Sequence, residues 1–203
     1  EIGSGLVGSE MCIRDRKYFV RPDGSVNHII EFNPETGEFV RAYGGQGYTE
    51  GSSWTRGQGW GVYGFMISYI HTGKQEYFDT AKRIAHYIMA NIPDSGIIPV
   101  DFRQPKEPAW EDSCAACVIA NGLIEIAKHV PELEKDMYIR AAVKILKAID
   151  KTRANWGTDC DSIVLNCTGA YHSPDHHFTM VYADFYFIEA VSVSYTHLRA
   201  HET

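Results

Sequence analysis

Hydrophobic and polar positions follow one rhythm through residue 43 and another beyond it. The first stretch alternates in short runs broken by turn formers: Tyr18-Phe19-Val20, the turn Pro22-Asp23-Gly24, residues 26–32 (VNHIIEF), the set Asn33-Pro34-Glu35-Thr36-Gly37 and residues 39–43 (FVRAY). Short strands joined by turns are predicted there. Gly44-Gly45-Gln46-Gly47 follows as a flexible loop, and it is not read as a phosphate site, because its glycines lack the spacing and the strand-to-helix setting of a dinucleotide site. The period then becomes helical. A helix is predicted over residues 54–71, with Ser52 and Ser53 as N-cap candidates and Gly73 as its stop. A second is predicted over 76–91, where Phe78, Ala81, Ile84, Ala85 and Ile88 share a face. Prolines at 93, 99, 105 and 108 make residues 93–110 a loop with room for a short strand. A second helical pair is predicted over 112–129 and 135–151, then a long loop to residue 175 and a last helix over 179–191.

The two pairs repeat at an offset of 61 residues without a gap: Gly61 falls on Gly122, Tyr77 on Tyr138, Ala81 on Ala142 and Ile84 on Ile145. One buried stripe used twice is what stacked hairpins require. Hairpins followed by long irregular loops fit a ring of α-hairpins better than a four-helix bundle, whose connections are short. The expected class is therefore all-α, with a short β segment near the N-terminus.

At 203 residues and 44% hydrophobic content the chain can fill the core of one domain and not comfortably of two. Its apolar runs stop well short of the roughly 20 residues that cross a bilayer, so no membrane partner is expected. Nineteen basic against 26 acidic residues leave a net charge of -7, which argues against a nucleic-acid partner. The ends read differently from the rest. Residues 1–16 (EIGSGLVGSEMCIRDR) and 193–203 (VSYTHLRAHET) resemble translated sequencing-adapter strings. Both are set aside as artefact tails, leaving residues 17–192 as the domain. On that reading the natural start is missing, and compartment and oligomeric state are not legible.

The densest unusual stretch is residues 52–61, SSWTRGQGWG. A helix start offers unpaired N–H groups and a positive dipole end, Arg56 adds a planar fork suited to a carboxylate, and Trp60 adds a flat face for a sugar ring. Together they suit an acidic sugar. The competing reading has Arg56 paired with a core carboxylate and both tryptophans merely packing. Cys114 and Cys117 form a CxxC inside an apolar helix and Cys160 and Cys167 are seven apart, so buried thiols are expected, with no metal and no cofactor. His172, His176 and His177 read as polar loop residues, and Glu111-Asp112 as an acidic pair at a helix start.

The strings SSWTRGQGWGVYGF, EDSCAACVIANGLIEIA and VYADFYFIEA resemble the unsaturated glucuronyl hydrolases, glycoside hydrolase family 88, with Trp-x-Arg-Gly-Gln-x-Trp the most specific part. The resemblance implies an (α/α)6 toroid, of which this chain is about the C-terminal half. It implies removal of the Δ4,5-unsaturated uronic acid that polysaccharide lyases leave on oligosaccharides. In that chemistry an aspartic acid protonates C4, water adds at C5, and the resulting hemiketal opens and expels the aglycone. Four substrate-binding residues are implied: His28 in HIIEFNPETG, Gln46, Arg56 and Trp60. The family's two catalytic aspartates lie upstream of the histidine segment, so neither Asp15 nor Asp23 is assigned as the acid, and the chain is expected to be inactive alone. Phe185 stands where the family favours Tyr, Gly51 where an acid often precedes the serines, and Cys167 where a histidine is common. Three alternatives are an unsaturated rhamnogalacturonyl hydrolase, a sugar epimerase of the same toroid type and a non-catalytic carbohydrate-binding ring.

Overall fold

A computed structural model describes residues 15–199. The extended N-terminal pattern resolves into one hairpin, β1 (Ile29–Phe32) and β2 (Phe39–Tyr43), antiparallel with Ile29 opposite Tyr43 and Phe32 opposite Phe39. Asn33 closes its turn by accepting the amides of Glu35 at 2.8 Å and Thr36 at 3.1 Å. Residues 18–20 do not form the expected strand: Asp15–Phe19 is a single π-helical turn, and Val20 makes only an isolated bridge to Val26. The cause is the tight reversal between them, closed by the amide of Arg21 on the Ser25 carbonyl at 2.8 Å, which leaves no room for a ladder.

Five helices follow: α1 (Thr55–Thr72), α2 (Gln75–Asn91), α3 (Ser113–Ala127), α4 (Glu132–Thr152) and α5 (Val181–Arg199). Helix α3 packs between α1 and α5, while α2 lies against α1 and α4 against α3. Alternate helices thus form one layer and the remainder a second, which is two hairpins and the first helix of a third in an (α/α)6 toroid. The layers explain the two kinds of helix. Every residue of α3 except Glu125 is buried, as a helix enclosed by neighbours on all sides must be. The outer helices are amphipathic, and the repeated stripe is their buried face: Tyr77, Ala81, Ile84, Tyr138, Ala142 and Ile145 are each at most 1% exposed. The repeated glycines do different work. A methyl at Gly122 would lie 2.6 Å from Val62 Cγ1, so it sets the approach of α3 to α1, whereas one at Gly61 would meet Ile84 of α2 at 3.2 Å.

Helix starts depart from expectation more than helix ends. Neither Ser52 nor Ser53 caps α1, which begins at Thr55 behind Trp54. Ser52 Oγ donates to Asp101 at 2.6 Å, Ser53 Oγ to Tyr87 Oη at 2.9 Å, and Thr55 Oγ1 to the Pro99 carbonyl at 2.7 Å. Tertiary partners have taken the hydroxyls that local capping would use. Gly73 ends α1 as expected, with φ of 67° and its N–H on the Tyr69 carbonyl at 2.7 Å. Helix α4 starts at Glu132, before the expected residue 135, because Pro131 sets the entry and Glu132 and Glu134 face the helix dipole. Helix α5 starts at Val181 and runs past residue 191 to Arg199, through part of the second adapter-like string. Residues 1–14 and 200–203 of those strings lie outside the described residues.

Candidate functional site

A cleft of about 520 Å³ opens between the segment before β1 and one face of α1. Gly57, Gly61 and Gly64 form a small-residue row along that face, beside Trp60, Phe65 and Ser68. At Gly64 an added methyl would meet nothing within 4 Å, so packing does not explain the missing side chain there. A glycine inside a helix costs about 0.5–1 kcal/mol relative to alanine, and here open space is what it leaves. Trp60 is 36% exposed, with Tyr186 at 5.4 Å and Tyr182 at 6.3 Å between ring centroids. Asn27, His28 and Ser68 are the polar side chains of the lining, and no carboxylate belongs to it among the described residues.

His28 lines this cleft with its ring 4.2 Å from the Trp54 indole. Its Nδ1 lies 2.9 Å from the Gln46 amide nitrogen and 3.3 Å from the Gly44 carbonyl. Burial pushes the imidazole below its ordinary value; the Gly44 carbonyl opposes this and the Arg56 charge adds to it. The glycine loop is therefore packed rather than free. Gly45 has φ of 57°, and a side chain there would overlap the His28 ring. Gln46 reaches across the chain, donating from Nε2 to the Gly169 carbonyl at 2.7 Å and accepting the Tyr171 amide on its own carbonyl at 2.9 Å.

Arg56, 2% exposed, stands behind Trp54, its guanidinium carbon 5.0 Å from the indole. Nη2 donates to the carbonyls of Thr168 at 2.6 Å and Gly169 at 2.7 Å, and Nη1 to Tyr182 Oη at 2.8 Å and Met180 Sδ at 3.0 Å. Nε pairs with Asp112 Oδ2 at 3.4 Å. Asp112 is the N-cap of α3, its other oxygen accepting the Cys114 amide at 3.2 Å. Burial pushes its carboxyl above the usual carboxylate range, against the pull of Arg56 and three backbone amides. Of the four expected residues, His28 and Trp60 stand on the cleft wall, while Gln46 and Arg56 meet behind it at Gly169.

The remaining candidates are engaged separately. Cys114, Cys117 and Cys167 are buried, and burial pushes their thiols up, that of Cys167 to about 12. His172 Nε2 lies 2.7 Å from the Tyr48 carbonyl, and His176 stacks on Trp110 at 3.9 Å with Nε2 at 3.0 Å from the Tyr171 carbonyl. Glu111 is gripped by Arg153 through bonds of 2.7 and 2.8 Å.

No family model matches the chain. The unsaturated glucuronyl hydrolase of Bacillus sp. (strain GL1) is 35% identical over 193 residues, covering 91% of this chain and 50% of that protein. An unsaturated chondroitin disaccharide hydrolase of Streptococcus pneumoniae (strain ATCC BAA-255 / R6) is 31% identical over 180 residues, covering 85% of this chain and 45% of that protein. Among solved structures, an unsaturated glucuronyl hydrolase specific for heparin superposes with a TM-score of 0.85 at 30% identity, covering 95% of this chain and 53% of that one. The chain belongs to the unsaturated glucuronyl hydrolase family. It spans about half the length of the curated relatives it matches.

In this member of the unsaturated glucuronyl hydrolase family, several groups that build the site carry little signal in the sequence. Trp54 has both the His28 ring and the Arg56 guanidinium against its indole, yet it reads as a packing residue at a helix start. Thr168 and Gly169 act through carbonyl oxygens, which no residue type announces. Tyr182 is part of the VYADFYFIEA string, and only the fold brings its hydroxyl to Arg56, 126 residues away in sequence.

Proposed function

We propose that this chain carries the uronate-binding part of an enzyme that removes Δ4,5-unsaturated uronic acid from oligosaccharides by hydrating the C4=C5 bond. The supporting observation is the grouping of His28, Trp54 and Trp60 around a cleft that is backed by Arg56. A uronate ring lies against Trp60 over the glycine row of α1, where the helix backbone is uncovered. The carboxylate is drawn toward the Arg56 charge. Of the bonds that hold this guanidinium, the one to the Met180 thioether is the weakest acceptor, and it is the one a carboxylate replaces. His28 and Asn27 meet the sugar oxygens from the opposite wall.

The reaction needs an acid that delivers a proton to C4 as water oxygen bonds to C5 and the water's own proton leaves to a base. The hemiketal at C5 then opens, and the glycosidic oxygen departs with the aglycone. Among the described residues no carboxylate belongs to the cleft lining, which supports the reading that the acid is supplied by the upstream half found in the longer relatives, and the chain alone is expected to be inactive.

The test follows the ultraviolet absorbance of the enol ether. An enzyme completed with the upstream half of a relative is expected to consume an unsaturated glucuronyl disaccharide and to leave its saturated analogue untouched, whereas the present chain consumes neither. Equal turnover of the two sugars excludes hydration of the double bond. In the completed enzyme Arg56→Lys is expected to lower kcat/KM by about 1.5–3 kcal/mol, since a point ammonium cannot reproduce the fork.

A further inference from the structure

We propose that the Gly44-Gly45-Gln46-Gly47 loop is a tautomer latch, in which the backbone amide of Gln46 holds His28 Nδ1 as an acceptor so that the neutral ring presents Nε2–H to the cleft. The inference rests on the cleft being the sugar site, and it gives Gln46 a role that its side chain does not perform. Two groups compete for Nδ1. The Gln46 N–H at 2.9 Å requires a lone pair there, and the Gly44 carbonyl at 3.3 Å would require a proton. Only one can be served. The Gly44 carbonyl already accepts the Gly47 amide at 3.1 Å, whereas the Gln46 amide has no other acceptor among the described residues. A backbone N–H cannot turn away or change polarity, so the amide decides the tautomer.

Gly45 makes the approach possible. Its φ of 57° turns the chain over the imidazole, and a side chain at that position would overlap Nδ1, Cε1 and Cγ of the ring. Gly45 and Gln46 are thus positioning residues. On the other side of the ring, Nε2 has no hydrogen-bond partner among the described residues, and His28 is part of the cleft wall. The group offered to a ligand is a neutral donor, suited to a hydroxyl, ring oxygen or carboxylate oxygen of the sugar. Burial, together with the Arg56 charge, opposes the cation that proton uptake at Nε2 would create. His28 accordingly orients the sugar as a donor and does not act as its base.

Two-bond proton–nitrogen correlation spectra of the protein labelled with ¹⁵N-histidine read the tautomer directly, with the His28 peaks assigned by their loss in His28→Gln. At neutral pH, without ligand, Nδ1 is expected to resonate as an unprotonated nitrogen and Nε2 as a protonated one. Gln46→Ala keeps the amide and is expected to keep the pattern. Gly45→Ala is expected to move both nitrogens to averaged positions, while Gly51→Ala, at φ of 73° with nothing within 4 Å, leaves them in place. A protonated Nδ1 or an averaged pair in the parent protein overturns the latch, as does an unchanged pattern in folded Gly45→Ala. If Gly45→Ala does not fold, the parent and Gln46→Ala spectra decide. Failure of an unsaturated disaccharide to shift these peaks, with the tautomer as stated, removes the sugar reading and leaves the latch standing.

Discussion

Gln46 and Arg56 donate to the same atom: Nε2 of one and Nη2 of the other each lie 2.7 Å from the carbonyl oxygen of Gly169. A carbonyl has two lone pairs, so both bonds form at once. The loop that follows Cys167 is thereby tied both to the glycine loop after β2 and to the first turn of α1. Two residues that resemblance assigns to substrate are also the residues that hold this loop.

Replacing Arg56 by methionine leaves Asp112 buried without its cation and takes a donor from the carbonyls of Thr168 and Gly169, of which Gly169 keeps its bond from Gln46. A loss of about 3–5 kcal/mol is expected, the range found when one partner of a buried pair is removed. Urea denaturation measures it. Adding Asp112→Asn, which removes the stranded charge and keeps a capping side chain, is expected to recover part of the loss. A loss below about 1 kcal/mol in the single variant contradicts a structural role for the pair.

Gly64→Ala runs the other way. The site is helical and open, so the methyl clashes with nothing and the unfolded chain loses freedom. Stability is expected to rise by about 0.5–1 kcal/mol, read from the thermal midpoint, while the cleft floor becomes narrower for a sugar. Destabilisation would mean that α1 is held closer to another segment than the open face of Gly64 allows.

The pattern of hydrophobic positions was enough to place the buried stripes, because Tyr77, Ala81 and Ile84 and their counterparts on α4 face a neighbouring helix whatever its details. Helix starts were less legible. The hydroxyls of Ser52 and Ser53 had local uses, and Asp101 and Tyr87, distant in sequence, outcompete them. The glycine loop looked flexible by composition, yet Gly45 is small because a ring lies against it. Arg56 and Trp60 stood out by residue type at a helix start, whereas His28 and Gln46 could be nominated only through the spacing of a known motif. That Arg56 is enclosed by Thr168, Gly169, Met180 and Tyr182 depends on contacts more than 110 residues apart, which no local pattern encodes.

Acidification should weaken the fold through His28 and His86. Burial holds both rings below their ordinary value, with the Arg56 charge aiding at His28 and the Lys82 charge at His86. The unfolded chain therefore takes up protons first as pH falls. Their contribution is present above about pH 6.5, the unfolded value, and is lost progressively toward the lower folded one. His28→Gln is expected to reduce the slope of the urea midpoint between about pH 7 and 5 and to leave the share of His86. An unchanged slope would place the His28 ring in water.

Helix α5 presents Val181, Phe185 and Ile188 along one face at 83%, 59% and 52% exposure. An apolar stripe of this kind on the end helix favours association between copies. The protein is expected to self-associate in light scattering, and Phe185→Glu combined with Ile188→Lys to shift it toward monomer with unchanged helical circular dichroism. A monodisperse monomer from the parent chain would show that this face is tolerated in water.

Asp101 is fully buried, and its two oxygens collect the amides of Tyr48, Ser53 and Arg103 and the hydroxyl of Ser52, at 3.0, 2.9, 2.8 and 2.6 Å. Residues 48–53 and the turn that carries Asp101 itself, about 50 residues apart in sequence, therefore share one acceptor. None of these amides can reach solvent by local fraying without disturbing the others, so in hydrogen exchange they open as one cooperative unit with a common free energy. The loop that carries Gln46 behind the cleft thus moves with the start of α1 and the loop before α3, and ligand entry has to exploit motion elsewhere.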